Sequence, residues 1–547
     1  MLLTFLGHAG FLVETEHAVI VADPWLSPTG AFDSAWMQFP RNHQLAPLVR
    51  DALERSPKRR FLYVSHEHRD HFDPDFLRTL DRRDVTVVLP GFSRPALREA
   101  FDAMGFHSVV TCADGEQVPF EGGSLRLFVS ESGVNRDSSL LVREGDQRFL
   151  DLNDCKIHDR LPAIVSEEGR IDVLTGQFSG AIWHPVRYRY DRKTYASISR
   201  RKMFSKFEAV ARAVEVVRPR TFIASAGPPC FLDPALLPIN FEPVNIFPRA
   251  PKLFEYLRRR LRRCAPDLLS PMPGDVLDAG SGTLELCGEQ RLDDDRFEEH
   301  VRSYADAMSW VFRLRRRELS PPELSSLLHG LQRQMRHKLN QLSLRDRVTM
   351  PFYACIAEKP QELVRVDFQA NQVDVVPRFL DERRCALVAS AVDLLPVVQG
   401  RLTWEEFLLS LRFQISREPD LYDAILHGFL AMEAVDLPAF CRSVRETEAK
   451  QDRMIVCAGG KRYSVQRFCP HQGADLEQGW VEGGRFLVCP RHRWRFDLEQ
   501  GGACRASSAS LCAHELDSHP REVPVEAKVK ADVGMDLELE AESGAPA

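Results

Sequence analysis

Two short loops near the carboxyl end of the sequence each place a cysteine close to a histidine. The first contains Cys469-Pro-His471, the second contains Cys489-Pro-Arg-His492, and 17 residues separate His471 from Cys489. Thiolates and imidazoles are the side chains that proteins use to hold zinc, copper and iron–sulfur centres. The prolines and glycines beside them suit tight loops that direct both side chains of a loop at one centre. This segment therefore predicts a small module folded around a metal site.

The order of the ligands distinguishes two kinds of metal site. Tetrahedral zinc accepts two cysteines and two histidines, but zinc fingers usually pair cysteine with cysteine and histidine with histidine along the chain. Here each loop supplies one of each, which resembles the Rieske arrangement, where two thiolates hold one iron of a [2Fe-2S] cluster and two imidazoles hold the other. We therefore predict that Cys469, His471, Cys489 and His492 bind a Rieske cluster, with structural zinc as the alternative.

A second cluster of metal-binding residue types lies near the amino end, in the segment LYVSHEHRDHFD. His66, His68, Asp70 and His71 follow an apolar stretch that is typical of a β-strand. Alternate residues of a strand point the same way, so side chains 66 and 68 are expected on one side, and the following turn brings in the other two. The H-x-H-x-D-H string resembles the signature of the metallo-β-lactamase superfamily.

That resemblance extends to the residues around the motif. It implies an αββα sandwich, a metal-binding carboxylate at Asp154 in FLDLNDC, and a residue at Asp23 that orients an imidazole. His8 in FLGHAGFLVE is expected to line the pocket, and His184 in SGAIWHPVRY is a candidate further ligand or substrate contact. For His8, Asp23 and His184 an ordinary structural role is the alternative.

Two histidines that the superfamily usually supplies are missing from this sequence. Residues 130–138 read SESGVNRDS, where Glu131, Asn135 and Asp137 are the available substitutes, and no histidine follows the predicted strand in TFIASAG (221–227). An intact two-zinc hydrolytic site is therefore not expected. The imidazoles and carboxylates that remain have the composition of a non-haem iron site with open positions for oxygen, mononuclear or dinuclear, with zinc as the alternative metal.

The pattern of apolar runs divides the 547 residues into three predicted domains. Residues 1–245 alternate short strands with helices, as in a layered α/β domain. Residues 246–437 have a mostly helical pattern, including LTWEEFLLSLRFQIS, and are expected to serve in substrate binding or at an interface. Residues 438–541 have the short strands and glycine-rich turns of a small all-β domain. The predicted fold class is α/β, with the αββα sandwich first and an all-β Rieske domain last.

Composition restricts the class of protein and its location. A net charge of −6 provides no global field that would favour nucleic acid. We find no apolar run of about 18 residues that would predict a transmembrane helix, and no signal peptide. Thirteen cysteines without framework spacing suggest a reducing compartment. We therefore predict a cytoplasmic protein, and these features leave its oligomeric state open.

The two predicted centres together favour one class of reaction. A hydrolase has no use for the single electrons that a Rieske cluster carries, whereas each turnover of a monooxygenase consumes two external electrons. The chain is similar to the cytidine monophosphate N-acetylneuraminate hydroxylase family in DPWL (23–26), SHEHRDH (65–71), NDC (153–155) and WEEFLLSLRFQISREPDLYDAIL (404–426). In that family the Rieske domain comes first, whereas here it comes last.

The resemblance implies a Rieske-dependent non-haem iron monooxygenase that hydroxylates or N-oxygenates a small molecule, such as a sugar nucleotide or an amine, with O2. The implied catalytic residues are His66, His68, Asp70, His71 and Asp154. The implied electron donor is a ferredoxin, a cytochrome b5-like carrier or a flavin reductase. Two alternatives stay open: a metal-dependent hydrolase with a redox-sensing Rieske domain, and an electron-transfer protein whose amino-terminal domain is a docking scaffold.

Overall fold

The computed structural model describes residues 1–132, 134–288, 291–318, 323–505, 507 and 509–516. The chain forms two compact units, Met1–Glu446 and Thr447–Ala547. The predicted division into three domains, with boundaries after residues 245 and 437, stays a prediction. The predicted end of the last domain, residue 541, lies outside the described residues.

Two large sheets form the centre of the amino-terminal part of the first unit. One contains β1 (Leu2–Gly7), β2 (Gly10–Glu14), β3 (Ala18–Ala22), β4 (Arg59–Tyr63), β5 (Val85–Pro90), β6 (Val109–Cys112), β14 (Val276–Asp278) and β15 (Leu284–Glu285). The other contains β7 (Gln117–Phe120), β8 (Gly123–Ser132), β9 (Asn135–Glu144), β10 (Gln147–Asp151), β11 (Val173–Gln177), β12 (Thr221–Ser225) and β13 (Asp267–Leu269). Their strand orders are β15-β14-β1-β2-β3-β4-β5-β6 and β13-β12-β11-β10-β9-β8-β7.

Helices cover the outer faces of both sheets. They are α1 (Ala46–Arg55), α2 (Pro74–Leu77) and α3 (Ala96–Ala103) on the first sheet, and α4 (Leu161–Glu168), α5 (Arg192–Val217) and α6 (Ala250–Leu261) on the second. Between the sheets, apolar side chains from both form one core, in which the rings of Phe11 and Phe149 lie 5.2 Å apart. Parallel strands buried on both faces have continuous apolar runs, as in VTVVLP of β5. The predicted αββα sandwich is confirmed.

The remainder of the first unit contains a third sheet. Its strands are β16 (Phe352–Ile356), β17 (Leu363–Asp367), β18 (Gln372–Val376), β19 (Arg384–Ala389) and β20 (Phe413–Glu418), in the order β18-β17-β16-β19-β20. The helices of this region are α7 (Phe297–Ala307), α8 (Ser309–Glu318), α9 (Leu324–Gln341), α10 (Ala391–Val398), α11 (Trp404–Leu409) and α12 (Ala424–Ala431), and α13 (Leu437–Ala449) follows. No described helix is both long enough and apolar enough to cross a membrane.

The segment LTWEEFLLSLRFQIS differs from its helical prediction. The helix ends at Leu409, and Leu411 takes a left-handed backbone conformation with φ of +58° that no α-helix can continue. Phe413 and Ile415 then point into the core while Gln414 is exposed, so the periodicity has changed from helix to strand. Sequence periodicity did not separate the two elements because the run of apolar residues continues across their junction.

The second unit contains two small antiparallel sheets. One has β21 (Arg453–Ala458), β22 (Lys461–Gln466) and β27 (His514–Leu516), and the other has β23 (Trp480–Glu482), β24 (Phe486–Val488), β25 (Arg495–Asp497) and β26 (Ala503–Cys504). Val456, Val465, Leu487 and Phe496 belong to one shared core. The all-β character predicted for this part of the chain is confirmed.

Candidate metal centres

The amino-terminal histidines lie in the loop that follows β4. The backbone N–H groups of His71 and Phe72 both donate to the carbonyl of His68, at 3.0 and 2.7 Å, which folds the loop back on itself. Asp23 follows β3, the parallel neighbour of β4, and Asp154 lies beyond the end of β10 in the other sheet. Since parallel strands end at the same edge of their sheet, these loops meet at one end of the sandwich.

The first candidate group contains two imidazoles and one carboxylate, and His68 lies beside it. His66 Nε2 lies 2.8 Å from His68 Nδ1, and the rings of His66 and His71 are 4.3 Å apart. Ligand atoms of His66, His71 and Asp154 all lie within 4.8 Å of one another, a spacing that could hold a metal ion. The H-x-H-x-D-H motif and the predicted carboxylate Asp154 are thus brought together.

A second candidate group shares His71 and adds His8 and Asp70, again within 4.8 Å of one another. His8 Nε2 lies 3.0 Å from Asp70 Oδ2, and the carbonyl of His8 accepts a hydrogen bond from the N–H of Ala226 at 2.8 Å. Ala226 directly follows β12, the place where the superfamily pattern expects its last histidine. His8, expected only to line the pocket, therefore lies beside this position and contributes an imidazole to the second group.

Buried atoms without hydrogen bonds mark this centre as a place for a cation. Within the described part of the chain, His71 Nε2, Asp70 Oδ1 and Asp154 Oδ1 are buried and accept or donate no hydrogen bond. Buried polar atoms are almost always satisfied, and leaving several unsatisfied in one place is costly. A set of imidazoles and carboxylates with free ligand atoms fits one or two metal ions, and iron and zinc both accept this donor set.

Asp23 fixes the orientation of the shared imidazole. Its Oδ2 lies 2.7 Å from His71 Nδ1, and its carboxylate also accepts hydrogen bonds from the N–H and Oγ of Ser65 at 2.8 and 2.6 Å. A carboxylate in contact with Nδ1 keeps the proton on that nitrogen and leaves Nε2 for a metal. Although burial acts in the opposite direction, Asp70 and Asp23 raise the pKa of His71 well above its usual value.

Asp137 is the one of the three proposed substitutes for the histidine missing near residues 130–138 that contacts the histidine cluster. Its Oδ1 lies 3.4 Å from His66 Nδ1. Burial and the neighbouring Asp154 raise the pKa of Asp137 well above its usual range. Glu131 instead accepts hydrogen bonds from the N–H and Oγ of Ser93 at 2.8 and 2.6 Å, and Asn135 pairs with Ser132 at the end of the β8–β9 hairpin.

Helix α11, from the middle of the chain, also contacts the metal-binding loop. Glu405 Oε1 lies 3.3 Å from His68 Nε2, and Arg69 Nε donates to Glu406 Oε1 at 2.6 Å. The helix begins with a capping box between Thr403 and Glu406. Sequence analysis did not identify Glu405, because an acidic residue in the first turn of a helix needs no functional explanation.

His184 belongs to neither candidate group. Its Nε2 lies 3.0 Å from the hydroxyl of Tyr190, and its ring packs edge-on against Tyr188 at 4.6 Å. Burial and nearby cations, Lys202 and Arg417, lower the pKa of His184 to about 2. A role as metal ligand is therefore not supported, whereas a role at a binding pocket remains a prediction.

The two cysteine–histidine loops of the second unit share one backbone pattern. In each loop the cysteine N–H donates to the carbonyl five residues ahead, and the cysteine carbonyl accepts from the N–H four residues ahead. That fourth residue takes a left-handed conformation in both loops, with φ of +65° at Gly473 and +55° at Arg493. The bonds join Cys469 to Ala474 and Gly473 at 2.9 and 2.8 Å, and Cys489 to Trp494 and Arg493 at 3.0 and 2.9 Å.

The cysteines and the histidines of these loops differ in their burial. The two cysteines are buried, with 1% of Cys469 and none of Cys489 exposed, whereas both histidines are only partly buried. The imidazole rings of His471 and His492 lie 4.7 Å apart, and His471 stacks on Trp494 at 4.1 Å. The adjacent Cys469 thiol and backbone N–H groups lower the pKa of Cys489 against the effect of burial. Paired thiols beside paired imidazoles fit a [2Fe-2S] cluster with two cysteines on one iron and two histidines on the other.

Comparison with known proteins finds a family match near each end of the chain. A β-lactamase superfamily domain matches residues 2–137, and a Rieske [2Fe-2S] domain matches residues 429–518. The cytidine monophosphate-N-acetylneuraminic acid hydroxylase of Danio rerio is 23% identical over 472 residues, which cover 80% of this chain and 72% of that protein. This bears out the resemblance noted from the motifs. The solved structure of CmlA, a diiron β-hydroxylase from Streptomyces venezuelae, is 18% identical with a TM-score of 0.33, covering 50% of this chain and 53% of that one.

A Rieske 2Fe-2S iron–sulfur protein of Mycolicibacterium smegmatis is more similar. It is 30% identical over 539 residues, which cover 94% of this chain and 100% of the relative. The match includes the β-lactamase-like part, the middle region and the Rieske part in the same order. The cluster ligands, the sandwich and this similarity all indicate the same combination of domains. This protein belongs to the family of Rieske 2Fe-2S iron–sulfur proteins whose amino-terminal part is a β-lactamase superfamily domain.

Proposed function

We propose that this protein is a Rieske-dependent non-haem iron monooxygenase that inserts one oxygen atom of O2 into a small molecule. The observation that carries the proposal is the presence, in one chain, of a Rieske domain and a separate histidine–carboxylate centre with unsatisfied ligand atoms. A hydrolase needs no electron carrier, whereas a monooxygenase consumes two external electrons per turnover. The relative named as a hydroxylase supports the same class of reaction.

Most of the residues proposed to hold iron belong to the two groups that share His71, and two further ones contact His66. When bound, iron would supply the activation of O2, and the cluster would supply the electrons from a ferredoxin, a cytochrome b5-like carrier or a flavin reductase. The proposed iron ligands are His66, His68, Asp70, His71 and Asp154, joined by His8 and with Asp137 in place of the missing histidine. The cluster ligands are Cys469, His471, Cys489 and His492.

The chain's own side chains prepare this centre in two ways. Asp23 and Glu405 contact one nitrogen each of His71 and His68, which leaves the opposite nitrogens to hold a metal when one is bound. Trp25 and Phe32, both almost fully buried, pack edge-on against His8 and His68 at 5.4 and 6.2 Å. These rings exclude water from one side of the centre, which strengthens its electrostatic interactions.

Metal analysis and oxygen labelling test the proposal. We expect two irons and two labile sulfides for the cluster, and at least one further iron in the full-length protein purified without oxygen. The His71→Ala variant should lose the further iron and keep the visible absorption of the cluster. With a chemical reductant and a library of small molecules under ¹⁸O2, product that carries one labelled oxygen is expected from the unaltered protein and not from His71→Ala.

A matched control distinguishes the loss of a metal ligand from the general effect of replacing a histidine by alanine. His107 is exposed and lies in neither candidate group, so His107→Ala should keep both the further iron and the product. Zinc as the only amino-terminal metal, with turnover under nitrogen, would contradict the proposal. That result would favour the second candidate, a metal-dependent hydrolase with a redox-sensing cluster, which the H-x-H-x-D-H motif and the β-lactamase superfamily match favour.

A further inference from the structure

Three lysines lie beside the amino-terminal centre. Lys156 follows Asp154 by two residues, and Lys202 and Lys206 lie one turn apart on the same face of α5. Lys202 Nζ donates to the carbonyl of His184 at 3.2 Å, and Lys206 Nζ contacts the side-chain oxygen of Gln177. Both acceptors are neutral, and within the described residues none of the three ammonium groups forms an ion pair.

Gln177 connects the lysines to the metal-binding loop. It is the last residue of β11, and its N–H donates to the carbonyl of Asn153 at 2.8 Å, immediately before Asp154. Lys206 is thus held at the same end of the sandwich as the candidate ligands. Lys156, Lys202 and Lys206 are all half-buried, so part of each side chain remains accessible to a small molecule.

Further basic groups lie near these lysines and make them harder to charge. Arg417 lies 5.2 Å from the ring of Tyr188 in the same neighbourhood, and its acidic partner Asp420 also accepts a hydrogen bond from Tyr190. Burial, together with Lys156 and Arg417, lowers the pKa of Lys202 to about 7. Burial, Lys156 and Lys202 also lower the pKa of Lys206 well below its usual value. These cations repel one another.

Half-buried amino groups that lie close together are costly to charge unless an opposite charge compensates them. Asp154 and Asp137 are the nearby carboxylates, and both face the histidine cluster. A compact ammonium group is a donor that suits a carboxylate or a phosphate, and several of them close together attract anions. An anionic ligand would therefore supply the missing charge.

We propose that Lys156, Lys202 and Lys206 form a subsite for an anionic group, a carboxylate or a phosphate, carried by the molecule that reacts at the amino-terminal centre. The identification of that molecule as the substrate rests on the proposed function. The subsite itself does not, because it is built from side chains that bind no metal. Lys193 is exposed and lies more than two turns before Lys202 on the same helix, so it has no part in the subsite.

Binding of simple anions tests the subsite without turnover. Inorganic phosphate and malonate are titrated into the full-length protein at constant ionic strength, with binding measured by calorimetry. Each lysine that is removed should weaken binding about tenfold or more, the equivalent of one charge-assisted hydrogen bond. Lys202→Met and Lys206→Met keep the apolar stem of the side chain, so their double variant should remain folded, with its Tm as the check. Lys193→Met is the matched control.

The metal could itself bind these anions, and the His71→Ala variant separates the two sites. We expect phosphate or malonate to bind the unaltered protein, Lys193→Met and His71→Ala, and to bind the double variant at least a hundredfold more weakly. The probe that binds more tightly identifies the group. The proposal is overturned if neither anion binds, if the folded double variant binds like the unaltered protein, or if His71→Ala abolishes binding. Anion binding without any oxygenated product would contradict the proposed function and leave the subsite standing.

Discussion

The contact between Glu405 and His68 gives a test of the centre that does not alter any proposed ligand. Glu405 Oε1 lies 3.3 Å from His68 Nε2, and 34% and 31% of these two side chains are exposed. At that separation two full charges in surroundings with an effective dielectric constant of about 20 would interact by about 5 kcal/mol. Solvent at two side chains that are one-third exposed reduces this value considerably.

A carboxylate that contacts the outer nitrogen of a metal-binding histidine is typically worth about 10- to 100-fold in metal affinity, or about 1.4 to 2.7 kcal/mol. Glu405→Gln keeps the shape and a hydrogen-bonding oxygen but loses the charge, so we expect a loss near tenfold. Glu405→Ala also loses the positional restraint, so we expect a loss nearer a hundredfold. In both variants the Rieske cluster should be unchanged.

The assay is anaerobic titration of metal-depleted protein with Co(II), whose visible absorption reports an imidazole–carboxylate site. Glu406→Gln is the matched control, because it is the next residue on the same helix, contacts Arg69 instead of His68, and can still cap the helix. It should bind Co(II) like the unaltered protein. Equal Co(II) affinity in folded Glu405→Ala would refute the view that α11 helps to build this centre.

Three further changes are expected to have measurable effects. Asp23→Asn should lower Co(II) affinity by about 10- to 100-fold through loss of the contact with His71 Nδ1, with cluster absorption as the control. Lys338 is almost fully buried, and burial lowers its pKa to about 7. Above that pH the unfolded state binds more protons than the folded state, so the free energy of unfolding should rise by up to about 1.4 kcal/mol per pH unit between pH 7 and 10. Denaturant titration should show this rise, and Lys338→Met should remove it. Gly473→Ala should destabilise the Rieske unit by about 1 to 2 kcal/mol, because φ at Gly473 is +65°. Cluster absorption should then be lost at a lower temperature. Gly473→Asn should destabilise the unit less, since asparagine tolerates a positive φ better than alanine.

The sequence predicted the residues of the cluster site more completely than those of the amino-terminal centre. All four cluster ligands lie within 24 residues, from Cys469 to His492, and each pair belongs to one tight loop. Local spacing was therefore enough to predict how they meet. The H-x-H-x-D-H loop is equally local, whereas Glu405 reaches His68 across more than 330 positions of the chain, through the packing of α11 on that loop. A pattern within one segment contains no information about such a contact.

The sandwich was predictable because its strands are continuous apolar runs that are bounded by turns, as in AVIVADPW and VTVVLP. The sheet of the middle region was mostly missed. Its strands are five or six residues long and lie among helices of similar composition, and β20 follows α11 after only three residues. In such a region the change of periodicity is visible only once the left-handed turn at Leu411 is known.

The sharing of His71 by both candidate groups makes the number of metal ions testable. His8 belongs to one group and Asp154 to the other, whereas the shared histidine belongs to both. Since each group offers three ligand atoms within 4.8 Å, we expect two irons at this end of the sandwich. His8→Ala and Asp154→Ala should then each lose about one iron, and His71→Ala should lose both, in each case with the cluster's two irons retained. Complete loss in one of the first two variants, with no loss in the other, would instead mean that a single ion occupies one group, and the second group would be a hydrogen-bonding neighbour.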